Sequence, residues 1–154
     1  MVLIMTDIKY NHTYEFEVEA SFGNLPKETI NEMFKDGRVA SKFLENHLPI
    51  WFPDLKFVDA HGFDHVRISN ERMLDAKCFT KSGLTYAPSN MLGGGRKIVN
   101  EVAHQHANEI DYIACDIIDF PSIKVRFVTG SDLVAKYPTC KICLLYTSPS
   151  PRDS

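Results

Sequence analysis

Two acids and one lysine stand close together in the segment 62–80: Asp64, Asp75 and Lys77. If this segment is a hairpin that turns at 69–70, residues whose numbers have the same sum face each other, so Asp64 lies opposite Asp75. Directly opposed residues of an antiparallel pair have Cβ atoms about 4.5–5.5 Å apart. Asp75 and Lys77 are two positions apart and therefore project from the same face of a strand. The spacing predicts that the three side chains meet at one place.

Such a trio has a definite chemistry. Two carboxylates this close repel each other when both are ionised, so the site must raise a pKa, hold a cation or stay solvated. A hard ion such as Mg²⁺ takes oxygen ligands and offsets the repulsion. Lys77 can hold or deprotonate a water molecule and stabilise charge on a phosphate. Gly62, opposite Lys77, leaves room for a ligand near the backbone. The residues therefore predict a divalent-metal site beside a phosphate.

The elements that must position the trio are predicted from hydrophobic periodicity. Near the N-terminus, apolar residues alternate with Glu15, Glu17 and Glu19, which predicts a strand with one buried face. The acidic face is interpreted as solvated; the alternative is that one of these acids approaches the metal. Asn24 is the expected N-cap of the next helix, and Pro49 is expected to end it. The inward positions of this helix are Ile30, Met33, Phe34, Ala40, Phe43, Leu44 and Leu48.

Three strand-like runs follow the helix: Leu55–Ala60, Phe63–Ile68 and Met73–Thr80. The remaining predicted elements are a helix, a mostly apolar strand, a further strand and a short helix capped by Ser131: Arg96–Ala107, Ile110–Phe120, Ile123–Val128 and Asp132–Tyr137. A mostly apolar strand is typical of the centre of a sheet that is covered on both faces. This order predicts an α/β (α+β) domain in which helices flank a mixed sheet.

An acid on one strand, followed by Asp-x-Lys on the next, resembles the PD-(D/E)xK nuclease superfamily, which includes many type II restriction endonucleases. In this sequence the motif follows one helix and precedes a helix and a strand, as in that superfamily. The resemblance covers roughly Asn24 to Tyr137 in motif order and topology. It implies a restriction-endonuclease-like mixed sheet flanked by helices.

The resemblance also implies a mechanism. Asp64 and Asp75 would ligate Mg²⁺, the carbonyl of Ala76 would complete the shell, and Lys77 would assist the attacking water. The implied reaction is hydrolysis of DNA phosphodiester bonds, with double-stranded DNA as the substrate, and a homodimer is compatible with it. A phage or repair nuclease fits the same residues as a restriction endonuclease. The alternative class is a catalytically inactive DNA-binding or assembly module of the same fold.

The first acid of the motif departs from the family pattern. Phe63 stands where the family has a proline before that acid, whereas a literal Pro-Asp occurs at Pro53-Asp54. Asp64 is preferred because the hairpin geometry puts it across from the acid of Asp-x-Lys. Asp54 comes just before a strand, and Asp59 is a third candidate.

Two further interpretations of the acids stay open. Some members of the family add a glutamate from the first helix, for which Glu32 and Glu45 are the candidates. The plain alternative to a metal site is a surface ion pair between Asp75 and Lys77, which would contribute little to stability.

Basic and small residues after the motif predict contact with a DNA backbone. Ser89 and Asn90 come shortly before three glycines, and Arg96 and Lys97 directly after them, where a helix is expected to begin. Backbone N–H groups and the dipole at a helix start attract phosphate. Together with Lys81, these residues are predicted to bind DNA. The alternative is a loop before a helix with a solvated basic first turn. The stretch lacks the Gly-Lys-Ser/Thr end of a Walker motif, so nucleotide binding is not predicted.

The histidines and cysteines do not predict a zinc site. His104 and His106 point to different sides of a helix, which is poor geometry for chelation. Cys78 and Cys115 are interpreted as core residues, and Cys143 lies in a tail segment. These spacings differ from those of structural zinc sites.

Length and composition fit one globular domain. The chain has 154 residues, of which 44% are hydrophobic and 24% charged, and it has 4 cysteines. The separated cysteines do not suggest a disulfide scaffold, and we find no signal peptide or membrane span in the sequence, so we expect a cytoplasmic protein. The net charge of −3 disfavours general coating of nucleic acid but allows a local basic groove.

The single nuclease-like domain is expected to span residues 1–142. Residues 143–154 lack periodicity, close in Ser/Pro turns and resemble a translated sequencing adapter. We therefore interpret them as a disordered tail of artefactual origin. On this interpretation the nuclease-like domain is truncated at its C-terminus.

Overall fold

The computed structural model describes residues 6–60, 62–86, 100–138 and 141–142, of which 100–104 and 141 are described by their backbone only. The elements are, in chain order, β1 (Thr13–Glu17), α1 (Lys27–Met33), α2 (Gly37–Trp51), β2 (Leu55–Ala60), β3 (Phe63–Arg67), β4 (Met73–Phe79), β5 (Leu84–Thr85), α3 (Asn100–Glu109), β6 (Asp111–Asp116), β7 (Ser122–Thr129), α4 (Gly130–Lys136) and β8 (Lys141–Ile142). Within these ranges, four helices accompany a mixed sheet, which confirms the predicted α/β class.

Six of the strands form one sheet in the order β1-β7-β6-β4-β3-β2. β4 and β6 are parallel, and α3 lies between them in the chain. The other neighbouring strands of this sheet are antiparallel. A parallel pair requires a crossover connection, usually a helix, and α3 takes that part. The short strands β5 and β8 pair separately, and their pairing was not predicted from the sequence.

The hydrophobic core has one layer on each face of the sheet. Ile113 and Cys115 of β6 face a layer that includes Ala40, Leu44 and Leu48 of α2. The alternate β6 residues face a second layer formed with α3 and α4: Tyr112 and Ala114, packed with Ala107, Ile110 and Leu133. Successive side chains of a strand point to opposite faces, so β6 is buried on both sides. This confirms the predicted central strand.

The first predicted helix is in fact two helices. α1 ends at Met33, and Asp36 begins α2 by accepting a hydrogen bond from the backbone N–H of Arg38 at 2.8 Å. Asn24 is not an N-cap, since Pro26 precedes α1. Pro49 does not end the helix either. It lies inside the last turn of α2, which continues to Trp51.

Glycines allow two close approaches of backbone that hold the layers together. A Cβ on Gly37, the first residue of α2, would lie 3.2 Å from the Cβ of Cys78 in β4. At Gly130 a Cβ would lie 1.6 Å from the carbonyl oxygen of Ala107, so no other residue fits without a backbone shift. The cap of α4 is Thr129, whose hydroxyl accepts from the N–H of Asp132, and not the predicted Ser131.

Candidate active site

The hairpin of β3 and β4 has the predicted register. His65 pairs with Leu74 and Val66 pairs with Met73. The numbers in each pair have the same sum as 64 and 75, as the predicted hairpin requires. Asp64 continues this register towards Asp75, and its carboxylate accepts a hydrogen bond from the backbone N–H of Ala76 at 3.0 Å. At this point the backbone N–H of Ala76 in β4 is therefore bound by the side chain of Asp64, and not by a backbone carbonyl of β3 as in a regular strand pair.

Asp64 is held from two sides. Its Oδ1 lies 2.6 Å from Nδ1 of His65, in addition to the bond from Ala76. Nε2 of His65 donates to the carbonyl oxygen of Glu45 at 2.9 Å, and it must carry a proton because a carbonyl only accepts. Burial alone would lower the pKa of His65, but the hydrogen bond and charge of Asp64 outweigh it and raise that pKa. The ring therefore donates through Nε2 to the carbonyl of Glu45, and its Nδ1 faces the carboxylate of Asp64, which only accepts when it is ionised.

Asp75 and Lys77 form an ion pair that is not on the surface. Nζ of Lys77 lies 3.1 Å from Oδ2 of Asp75, and the two side chains are 25% and 12% exposed. Burial raises the pKa of Asp75 to about 6, with the charge of Asp64 adding to the effect and that of Lys77 opposing it. The alternative of a solvated surface pair is therefore wrong for these two residues.

Glu45 of α2 is a third acid at the same place, and of the two candidate glutamates it is the one that borders the cavity. Burial raises its pKa, as does the charge of Asp64, while Lys42 lowers it. Its Oε1 is buried and has no hydrogen-bond partner. The other candidate, Glu32, pairs with Lys35 at 3.5 Å and does not border the cavity described next.

The acids line an open cavity of about 220 Å³ at the edge of the sheet. Its walls are formed by Glu45, Asp59, Ala60, Gly62, Phe63, Asp64, Asp75 and Lys77. With every group ionised, the four carboxylates of this wall are accompanied by three cations, Lys77, His65 and Lys42. Within the described part of the chain, no three His, Cys, Asp or Glu side chains converge closely enough to form a metal site by themselves. Any cation here would need main-chain, water or substrate oxygens as well.

The other candidates for the first acid differ in position. Asp54 is engaged at the opposite end of the β2–β3 pair, where it accepts from Nε of Arg67 at 2.9 Å and from the hydroxyl of Ser69 at 2.7 Å. Asp54 is therefore not the first acid of this site. Asp59 borders the cavity from an irregular part of β2 and is exposed, with a positive φ of 48°.

Gly62 borders the cavity, but part of the space beside it is filled. Nε2 of His106 donates to the carbonyl oxygen of Gly62 at 3.0 Å, and a Cβ on Gly62 would lie 3.2 Å from Cε1 of His106. The expectation of free room for a ligand at Gly62 is therefore wrong on this side. His106 is occupied by this contact, and the side chain of His104 lies outside the described residues.

One of the predicted DNA-binding residues can be located. Lys81 is exposed in the turn after β4 and borders a separate cavity of about 450 Å³ with Arg38, at the start of α2. The other four residues, Ser89, Asn90, Arg96 and Lys97, lie outside the described residues.

A second buried acid was missed by the sequence analysis. Asp111, at the start of β6, accepts from Nη2 of Arg72 at 2.9 Å through Oδ1 and from the hydroxyl of Tyr10 through Oδ2. Burial raises the pKa of Tyr10, and the nearby Asp111 raises it further, so the hydroxyl keeps its proton. Arg72 is thus bound to Asp111. The available signal was an acid that begins an otherwise apolar strand.

An apolar groove lies on the other flank of α2. It has a volume of about 690 Å³ and is bordered by the segment 17–25, by α1 and by α2. Phe22 is 77% exposed and Phe43 is 55% exposed. Exposed aromatic side chains grouped in this way are typical of a surface that contacts another molecule.

Comparison with protein-family models, with curated proteins and with solved structures gives no match. No helix in the described ranges is long and apolar enough to cross a membrane.

Proposed function

We propose that this chain is a Mg²⁺-dependent DNA endonuclease of the PD-(D/E)xK superfamily, with a restriction-endonuclease-like fold. The proposal is carried by one observation: Asp64, Asp75 and Lys77 line the same cavity, with Glu45 added from the preceding helix. The order of elements supports it, since α2 precedes three antiparallel strands and α3 precedes a strand parallel to the last of them.

The donor set fits a hard divalent cation. Asp64 and Asp75 supply carboxylates, and Mg²⁺ prefers such oxygen ligands together with several waters. In an extended strand the N–H and C=O of one residue point to the same neighbour. Since the N–H of Ala76 points to Asp64, its carbonyl is directed to the same side, where it can act as a ligand. The unpartnered Oε1 of Glu45 adds a further buried oxygen without a donor.

The residues of the chain divide the reaction between them. Asp64, Asp75 and the carbonyl of Ala76 would hold Mg²⁺, which when bound lowers the pKa of a water ligand and offsets charge on the phosphate. Lys77 orients the attacking water from the rim of the cavity and stabilises the phosphate oxygens. The water gives a proton to the surrounding solvent as its bond to phosphorus forms, and the leaving sugar oxygen takes a proton from solvent as the old bond breaks.

A basic flank of α2 supports a path for the DNA backbone. Arg38, Lys42 and Glu45 are spaced by four and three residues, which puts them on one side of the helix. Lys81 shares a cavity with Arg38 and Lys35, which the acids Glu32 and Asp36 also border, and Asp36 is bound to Arg38. Substitution Lys81→Ala is expected to reduce the slope of log affinity against log salt by about 0.9, whereas Lys136→Ala on α4 leaves the slope unchanged.

The decisive experiment is cleavage of double-stranded DNA by the purified chain with Mg²⁺ or with EDTA. Wild type is expected to cut only with the metal, and Lys77→Ala and Asp75→Ala to lower the rate by about 10²–10⁴-fold. Lys136→Ala serves as the control. Cleavage at the wild-type rate by either site variant contradicts the assignment.

A catalytically inactive assembly or DNA-binding module is the second candidate. The apolar groove beside α1 and α2 favours it, because exposed aromatics such as Phe22 and Phe43 serve binding and not hydrolysis. This candidate predicts salt-dependent DNA affinity that does not change with Mg²⁺, and no cleavage under any metal condition.

A further inference from the structure

We infer that His65 is a positioning residue that fixes Asp64 for metal binding, and that Pro49 provides the anchor of His65. The consequence for metal binding rests on the proposed function. The hydrogen bonds of His65 do not rest on the proposed function. These hydrogen bonds and their effect on metal binding can therefore be tested separately.

The anchor is a carbonyl group that the helix leaves free. In an α-helix the carbonyl of residue 45 accepts from the N–H of residue 49. Residue 49 is proline, which has no N–H, yet α2 continues to Trp51. The carbonyl of Glu45 instead accepts from Nε2 of His65 at 2.9 Å. Pro49 thus creates an acceptor on the inner side of α2, and a fully buried imidazole uses it.

The other end of the same ring determines the orientation of Asp64. Nδ1 of His65 lies 2.6 Å from Oδ1, and the N–H of Ala76 lies 3.0 Å from the same oxygen. Two donors on one oxygen fix both the position and the rotation of the carboxylate. Oδ2 remains as the oxygen of Asp64 that can bind a cation. The chain Pro49, Glu45, His65, Asp64 therefore links the end of α2 to the metal site.

The expected effect of this link is on metal affinity. Groups that orient a metal ligand by hydrogen bonding typically change affinity by about 10–100-fold when they are lost. A purely structural histidine would instead change the melting temperature and leave the affinity of the folded protein for Mg²⁺ unaltered. The apparent Mg²⁺ affinity is therefore the measurement that separates the two roles.

The test makes the His65 variants in the wild-type chain and adds Pro49→Ala as a variant of its own. A backbone N–H at position 49 can take the carbonyl of Glu45 from His65, so Pro49→Ala is itself expected to weaken Mg²⁺ affinity. His65→Asn keeps an amide donor near the position of Nδ1, whereas His65→Gln keeps one near Nε2 and so still pairs the carbonyl of Glu45. His65→Leu removes both. Leu48→Ala, a fully buried change on the same helix, is the control for loss of stability.

Mg²⁺ titrations by calorimetry and by cleavage are expected to rank the variants. His65→Leu and His65→Gln should weaken the apparent Mg²⁺ affinity by about 10–100-fold, with cleavage restored by excess Mg²⁺. His65→Asn should lose less, and Leu48→Ala should melt at a lower temperature with unchanged affinity. Unchanged Mg²⁺ affinity in both His65→Leu and His65→Gln overturns the inference while the proposed function stands.

The hydrogen bonds are tested separately by NMR of the metal-free wild type. Both ring N–H protons of His65 are expected as slowly exchanging signals, and Asp64→Asn is expected to shift the Nδ1 proton most. If these signals are present but the protein neither binds Mg²⁺ nor cleaves DNA, the proposed function fails and the link between α2 and Asp64 stands. If no Nδ1 proton is protected from exchange, the inference is overturned.

Discussion

Two buried acids on neighbouring strands have opposite surroundings. Asp111 of β6 is 3% exposed, and its two oxygens are bonded to Arg72 and Tyr10. Asp75 of β4, whose exposure as a whole residue is 8%, has one cation, Lys77, with Asp64 beside it. Leu74 is the register partner of Asp111, so Asp75 is displaced by one residue and projects from the other face of the sheet.

Burial of an acid does not by itself indicate a functional site. A buried charge must be paired or bonded, and Asp111 meets that requirement within the protein. The cluster at Asp75 does not, because its carboxylates outnumber its cations and Oε1 of Glu45 has no partner. An acid cluster that is left with excess negative charge is a candidate site for an external cation.

Removal of Arg72, the cation that pairs with Asp111, should have the largest effect on stability. Arg72→Ala leaves Asp111 buried with Tyr10 as its remaining donor, and we expect a loss of about 1.5–3 kcal/mol in the free energy of unfolding. Arg72 is partly exposed, which keeps the cost below that of a fully buried pair. Urea denaturation measures the loss. The control is Arg38→Ala, whose guanidinium is 92% exposed, and which should change stability by about 0.5 kcal/mol or less. Equal losses in both variants would remove the contrast between the two regions.

Neutralisation of Asp75 should change the free energy of unfolding in the opposite direction and stabilise the protein. The pKa of Asp75 is raised from 3.8 to about 6, so folding favours the protonated acid. The contribution of this pKa shift to the free energy of unfolding is fully present below pH 3.8 and is lost as the pH rises through about 6. Asp75→Asn should therefore stabilise the metal-free protein by about 1–2 kcal/mol at pH 7.5, and by much less near pH 4. Denaturant titrations at the two pH values test this, and a destabilised variant at pH 7.5 would contradict it.

Asp54, which is connected to the Asp111 region indirectly, through Arg67 and Tyr10, should have the smallest effect. Burial raises the pKa of Asp54, but the hydrogen bonds from Ser69 and Arg67 together outweigh it and lower that pKa. Its stabilising contribution is present above the ordinary value of 3.8 and is lost as the pH falls below it. Asp54→Asn should cost under about 1 kcal/mol at pH 7 and progressively less as the pH falls below 3.8, without a change in DNA cleavage. Loss of cleavage in this variant would return Asp54 to the candidates for the first acid.

The sequence could predict the hairpin because its determinants are local. The period of two and the turn at 69–70 are enough to put Asp64 opposite Asp75, and the apolar content of β6 is enough to make it central. The interruption at Asp36 was missed because apolar residues keep helical spacing on both sides of it. Only its role as a cap separates α1 from α2.

The rest of the site depends on packing that no local pattern encodes. Glu45 enters the cavity because Ala40, Leu44 and Leu48 fix how α2 rotates against the sheet. The choice between Glu32 and Glu45 could be made only with that packing known. His65 looked like an ordinary strand residue, since its partner is a carbonyl twenty positions earlier in the chain.

The two free cysteines of the central sheet allow opening of the hydrophobic core to be measured by chemical labelling. Cys78 and Cys115 are register neighbours on β4 and β6, and burial raises the pKa of Cys78 to about 12 and that of Cys115 well above its ordinary value. A thiol that is neither ionised nor accessible does not react with an alkylating reagent. Because Cys115 faces the core layer that includes α2, the rate at which iodoacetamide labels it measures how often that layer opens from the sheet.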